Sequence, residues 1–466
     1  MHNPTPPSPA AHHDPRTRAL LEAPIARTLL RLAAPNVLVM LVQASMGLIE
    51  TYFIGKLGTD ALAGVALAFP MVMLMQMMSA GAMGGGISSA IARALGARRR
   101  EDADALALHA LVIGSVFGVV FMALILACGP ALYSAMGGSG AALDAALTYS
   151  NVIFSGVVLL WIFNSLANVI RGTGNMAVPA AVTCIGALLL IPLSAALIFG
   201  WGPFPALGIA GGAFAFVAFY AIGSAVLALY LWTGRSVVRP SLHGRGFRWP
   251  LFSDILRVGL VAALVTVATN ATIAISTGFV GQFGPAAIAG YGVGSRLEYL
   301  LVPLAFGFGG PLVALVGTNI GAGQRQRALR AAWIGAAIAA GLTELIGLCA
   351  AAFPHAWLTL FDTDPLMLDA GSRYLRTVGP FYGLFGLGMA LYFASQGAGR
   401  LKWPLLANIT RLAIAAGGGW IALNASGELT HVFVAQSAAL AAFGLINAAA
   451  VARGAWFTGN RGQTPI

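Results

Sequence analysis

The stretch GKLGTDALAG, from Gly55 to Gly64, returns 226 residues later as GQFGPAAIAG, from Gly281 to Gly290. Leu95-Gly96-Ala97 returns as Ile320-Gly321-Ala322, and Gly172-Thr173-Gly174 with Pro179 returns as Gly397-Ala398-Gly399 with Pro404. Three blocks in one order at nearly one offset describe a chain of two related halves joined near residue 240. Whatever this chain folds into, it builds the same unit twice.

The unit is set by solvent. Of 466 residues 58% are hydrophobic and only 9% charged, whereas a soluble domain carries about 25% charged residues. The apolar runs exceed the roughly 20 residues a helix needs to cross a bilayer. Hydrocarbon offers the backbone no hydrogen bonds, so helices or closed barrels alone can span it. These runs are too continuous for barrel strands, which alternate over about 10 residues. The expected fold is all-α and polytopic. Its apolar segments are 29–54, 61–84, 105–128, 146–169, 178–200, 208–232, 255–280, 286–316, 329–352, 372–396, 403–423 and 431–452. Six spans per half is an even number, so the halves point the same way, as a parallel repeat.

The net charge of +11 does not indicate nucleic acid, because the basic residues sit between apolar runs. Arg93, Arg98, Arg99 and Arg100 form one group, Arg235 to Arg257 a second, Arg325, Arg327 and Arg330 a third, and Arg400 with Lys402 a fourth. Basic loops alternate with bare ones, which places the basic loops and both termini in the cytoplasm. The expected organisation is a disordered cytoplasmic tail at 1–27, a six-helix lobe at 28–233, a flexible linker at 234–250, a second lobe at 251–453 and a tail at 454–466. The first tail is Pro-rich and has no signal-peptide core; His2, His12 and His13 are too loosely spaced to suggest a metal site. Cys128, Cys184 and Cys349 suit neither a disulfide framework nor a metal site.

Several motifs together resemble the multidrug and toxic compound extrusion (MATE) family. They are Pro35 followed by GLIETYFIGKLGT from Gly47 to Thr59, ALAG from Ala61, ALGAR from Ala94, RGTGN from Arg171, LIFG from Leu197 and GIAGGA from Gly208, with Gly321-Ala322-Gly323 in the second half. The resemblance covers about residues 28–452. It implies twelve transmembrane helices in two six-helix lobes around a central cavity. It also implies a secondary exporter, not an enzyme, that moves bulky, often cationic compounds out of the cell against inward protons or sodium. Membrane lipid and small toxic organic molecules are then the expected partners. A monomer in the cell (inner) membrane is expected, with no nucleic acid, no cofactor and no metal other than a coupling ion.

Charges inside the bilayer carry the mechanism. A mid-bilayer carboxylate costs about 2.5–3.5 kcal/mol on insertion scales, so one that persists is a functional candidate. Glu50 lies late in the first span, fifteen residues after Pro35. The family carries an acid there and a bending proline where Pro35 stands. At the repeat offset the second half has Ser276 and Val261, so acid and proline belong to one half, which packing does not require and a coupling site does. Protonation of Glu50 would remove its charge, alter the bend at Pro35 and release a cationic substrate.

Relatives with a sodium site in this lobe add Asn, Asp and Thr at positions that align with Leu190, Ser194 and Phe216. A second-lobe sodium site uses acids near positions that align with Asn270 and Phe385. Neither set supplies several oxygens, so protons are the expected coupling ion and sodium the alternative. Gln43, Met46, Asn164, Asn168 and Glu298 are the candidates for lining the substrate cavity, although Asn164 and Asn168 also suit bonds between helices. Arg296, Glu298, Glu344 and Arg411 equally suit structural ion pairs. A lipid or glycan flippase of related fold would want several arginines in the cavity, and here most arginines fall in loops. An intramembrane enzyme would need clustered acids or a His/Ser/Asp set, which no span carries. No G-x-x-x-x-G-K-[ST] segment is present for direct use of ATP.

Overall fold

A computed structural model describes residues 14–244, 246–425 and 427–457, without the side chains of 298–300 and 302–304. The spans run in chain order as the first, Ile25–Gly55, the second, Thr59–Gly96, the third, Arg100–Ala135, and the fourth, a bent pair Gly140–Ser155 and Val157–Gly172. The fifth is Ala177–Phe199, the sixth Ile209–Trp232, the seventh Trp249–Gly281 and the eighth Pro285–Gly321. The ninth is Arg325–Ala352, the tenth Pro365–Gly397, the eleventh Lys402–Ala425 and the twelfth Leu429–Ala452. Spans one to six and seven to twelve form two lobes, so the chain is a twelve-helix, multi-pass membrane protein.

The repeat is visible in the backbone. Gly58 and Gly284 precede the second and eighth spans with φ of 113° and 98°, a conformation that glycine adopts without steric cost. Gly64 packs against Ala145 and Ala146, and Gly290 against Ala370 and Gly371, the same helix crossing at the same offset. The fourth span bends by 48° at Gly156. The tenth is interrupted at the matching place, Gly379–Phe381, where Pro380 denies the helix a backbone donor.

The lobes face each other around a pseudo-two-fold axis, and one reciprocal contact marks it. A Cβ on Gly96 would strike the carbonyl oxygen of Thr318, and a Cβ on Gly321 would strike that of Arg93. Residues 93 and 318, like 96 and 321, are 225 apart, so each lobe offers the other the same patch. Around this crossing Ser89 Oγ donates to the carbonyls of Gln396 (2.6 Å) and Gly397 (3.0 Å). Arg93 pairs with Asp254 at 2.7 Å. Gln396 Nε2 donates to the carbonyls of Gly81 (3.3 Å) and Ala82 (3.4 Å). These cross-lobe contacts all fall in the half of the spans nearest the basic loops. In the opposite half, a Cβ at Gly47, Gly55 or Gly278 would meet nothing within 4 Å.

Two expectations need correction. The tail 1–27 is not disordered throughout: Pro15–Glu22 is a helix capped by Asp14, with Thr17, Leu20 and Leu21 buried. Asn319 Nδ2 in the eighth span donates to Leu20 O at 3.1 Å, which satisfies a helix-end carbonyl and ties the segment down. The linker is not a free hinge either. Asp104, 5% exposed, accepts from the Arg239 amide at 2.8 Å and lies 3.1 Å from His243 Nε2. His109 Nε2 accepts the Arg248 amide at 2.9 Å, and Arg248 pairs with Asp102 at 2.6 Å. Beyond the last span, Trp456 is buried and donates Nε1 to Ser395 Oγ at 3.0 Å, so the second tail is anchored where it leaves the membrane. His2, His12 and His13 lie outside the described residues.

Candidate functional site in the first lobe

The first span belongs to both lobes. At its start Leu29 packs on Gly335 of the ninth span, and Val37 packs on Gly307 of the eighth. Asn36 Nδ2 reaches Gly307 O at 3.5 Å. At its end Ile54 and Glu50 face Gly212 of the sixth span. Pro35 lies in the part held by the second lobe. Its ring removes the bond to the Arg31 carbonyl and leaves a joint within the helix.

Glu50 is partly buried in a narrow pocket lined by Met46, Ile49, Phe53, Leu190, Ser194 and Phe216, among others. The three positions that align with the sodium ligands of relatives, Leu190, Ser194 and Phe216, therefore do surround Glu50, and they present one hydroxyl and two apolar groups. Tyr149 of the fourth span donates its hydroxyl to Glu50 Oε1 at 2.9 Å. Glycine at 212 makes room: a Cβ there would lie 3.3 Å from Glu50 Oε1. Ser194 Oγ is buried with no hydrogen-bond partner among the described residues. Next to the site, Tyr220 packs on Phe216 with ring centroids 4.8 Å apart and reaches Gln76 Oε1 at 3.4 Å. The chemistry on offer is one titratable group, one phenol donor and a narrow, mostly apolar chamber.

The other candidates divide. Met46 lines this pocket; Gln43, on the same helix, is half-buried and does not. Asn164 and Asn168 are used between helices. Asn164 Nδ2 donates to Ser79 Oγ at 3.1 Å, and Asn168 Nδ2 donates to the Ala80 carbonyl (3.4 Å) as well as to the Asn164 carbonyl one turn back in its own helix (2.8 Å). Ser88 Oγ donates back to the Asn168 carbonyl at 2.7 Å. They hold a π-helical stretch of the second span, Met77–Met83, rather than facing the pocket. The side chain of Glu298 lies outside the described residues. Glu344 accepts from the Gly383 amide at 2.6 Å, and Arg296 lies over the Phe361 ring at 5.7 Å. Tyr149 was not singled out from sequence. The available signal was the repeat itself, which places Tyr374 at the equivalent position.

Comparison with known proteins agrees with the fold. The MatE family pattern matches residues 35–196 and 262–421. The FAD transporter of Shewanella oneidensis is 27% identical over 402 residues, which cover 85% of this chain and 87% of that one. Probable multidrug resistance protein NorM of Thermotoga maritima is 26% identical over 387 residues, 82% of each chain. Among solved structures, a MATE protein in its bent conformation superposes with a TM-score of 0.86 at 24% identity, covering 96% of this chain and 99% of that one. A multidrug resistance MATE transporter in an outward-facing conformation gives 0.85 at 24%, with the same coverage.

Proposed function

Because this chain belongs to the MatE family and is a transporter of small molecules, we propose that it is a proton-coupled exporter of bulky organic compounds, with Glu50 as the coupling residue. The carrying observation is the Glu50 pocket: one carboxyl, held by Tyr149 at 2.9 Å, behind walls that supply one hydroxyl and otherwise apolar groups. A sodium ion binds through several oxygens, whereas a proton needs one titratable group. With the basic end in the cytoplasm, the lobes are sealed inside and the pocket is reached from outside. A proton loading from that side neutralises Glu50. The carboxylate then no longer holds a cationic substrate or accepts from Tyr149 in the same way, and the span that carries it is free to bend at Pro35. Opening of the inner seal delivers the proton to the cytoplasm.

One charge moving through 100 mV is worth about 2.3 kcal/mol. A driving force of roughly 150 mV therefore supports about 2.5 decades of substrate gradient for one proton. A single acid is sufficient.

The test is transport of ethidium by the wild type and Glu50→Gln in liposomes, under an imposed pH gradient or an imposed sodium gradient. A pH gradient should suffice for the wild type, and Glu50→Gln should be uncoupled. A sodium requirement, or full coupling in the variant, overturns the reading. The FAD transporter relative supports a second reading for the cargo, a flavin nucleotide; adding it to the same liposomes decides between cargoes.

A further inference from the structure

The second lobe has its own pocket, lined by Thr272, Ser276, Tyr291, Arg411, Ala415 and Gln436, among others. It corresponds to the Glu50 pocket. Ser276 stands where Glu50 stands, and Ala415 where Leu190 stands, at offsets of 226 and 225. Yet the chemistry is reversed. The first pocket holds a carboxyl; the second is lined by a guanidinium, an amide and hydroxyls, and no carboxylate is among its described lining residues.

The guanidinium is built in. Arg411 is only 6% exposed and lies over the rings of Phe385 (5.6 Å) and Phe443 (5.7 Å). Stacking on rings leaves the guanidinium edge for hydrogen bonds. Gly186 holds the equivalent place in the first lobe, so the repeat did not require an arginine here. Arg411 also keeps contacts within the protein, but a guanidinium has five N–H donors and can hold a ligand oxygen as well. Gln436 Nε2 is buried and finds no acceptor among the described residues. An amide donor left so costs free energy unless something accepts from it.

We propose that the second-lobe pocket is a substrate subsite for an oxyanion, a carboxylate or phosphate carried by the transported molecule, with Arg411 as the anchor and the Gln436 amide as a second donor. The first lobe then selects positive charge and the second negative charge, which fits zwitterionic or anionic cargo as well as plain cations. The inference rests on the reading that this chain transports organic substrates.

Two matched probe pairs test it by binding to the purified protein in detergent. Rhodamine 6G and rhodamine 19 share a fluorophore and differ by an ester against a free carboxylate. Riboflavin and riboflavin 5′-phosphate differ by the phosphate. In at least one pair the oxyanion member should bind the wild type more tightly than its partner. Arg411→Gln and, separately, Gln436→Leu should weaken that member about tenfold or more, as the loss of a charge-assisted bond implies, and leave the partner that lacks the oxyanion within about twofold. The Gln436 variant guards against misfolding on loss of the arginine, and Arg411→Lys should retain part of the preference. Equal affinities within both pairs, or equal losses for both members, overturn the proposal. Failure of the transport reading looks different: the wild type would then move rhodamine 6G under no ion gradient.

Discussion

The Glu50 carboxyl depends on one hydroxyl and one missing side chain, which makes the site sensitive at the scale of single atoms. Glu50→Asp keeps a titratable group but withdraws it by a methylene from a partner at 2.9 Å. Coupled transport should survive at a reduced rate, whereas Glu50→Gln should lose pH-driven uptake altogether; proton flux in pyranine-loaded liposomes separates the two. Gly212→Leu fills the space beside Glu50 Oε1. It should abolish drug-driven proton flux while the protein still reaches the membrane in normal amount. Glu50 was legible in the sequence because a charge stands out in an apolar run. Tyr149 was not, since an aromatic residue on such a helix is packing by default. Asn164 and Asn168 share a helix face that suits a cavity or a neighbour equally, and only the position of Ser79 and Ala80 decides.

At the scale of elements, the breaks in the spans are the informative features. Glu344 of the ninth span satisfies the Gly383 amide of the tenth, one of the orphan donors left where that helix restarts after Pro380. It acts as a cap supplied by a neighbouring helix, so Glu344→Ala should destabilise the protein by about 1–3 kcal/mol, read as earlier thermal unfolding in detergent. Glu344→Gln should lose less, because its amide oxygen can still accept, and both variants should keep the proton dependence of transport. Sequence reading ended the second span near residue 84, yet the helix continues to Gly96. Ser88, Ser89 and Arg93 look like loop residues until their partners in other helices are known. Polarity signals a loop only when water is the partner, and here the partners are carbonyls and a carboxylate of packed spans.

For the whole molecule, the two-lobe plan was legible from the repeat and the even span count. The state in which the lobes meet was not, because that depends on contacts between distant segments. The Arg93–Asp254 pair at 2.7 Å spans the seal. With the native cysteines replaced, Arg93→Cys with Asp254→Cys, joined by a short thiol-reactive cross-linker, should stop transport, and a cleavable linker should restore it on reduction; unimpeded turnover in the cross-linked protein would mean that the seal never opens. The strapped linker has a consequence for how it can open. Asp104 and His109 hold the connecting segment to the third span as far as Arg248, and the seventh span begins at the next residue, Trp249. The covalent slack between the lobes is thus close to nil. An opening of the seal would therefore have to pivot beside the third span, with an arc set by that attachment rather than by the length of the connecting chain.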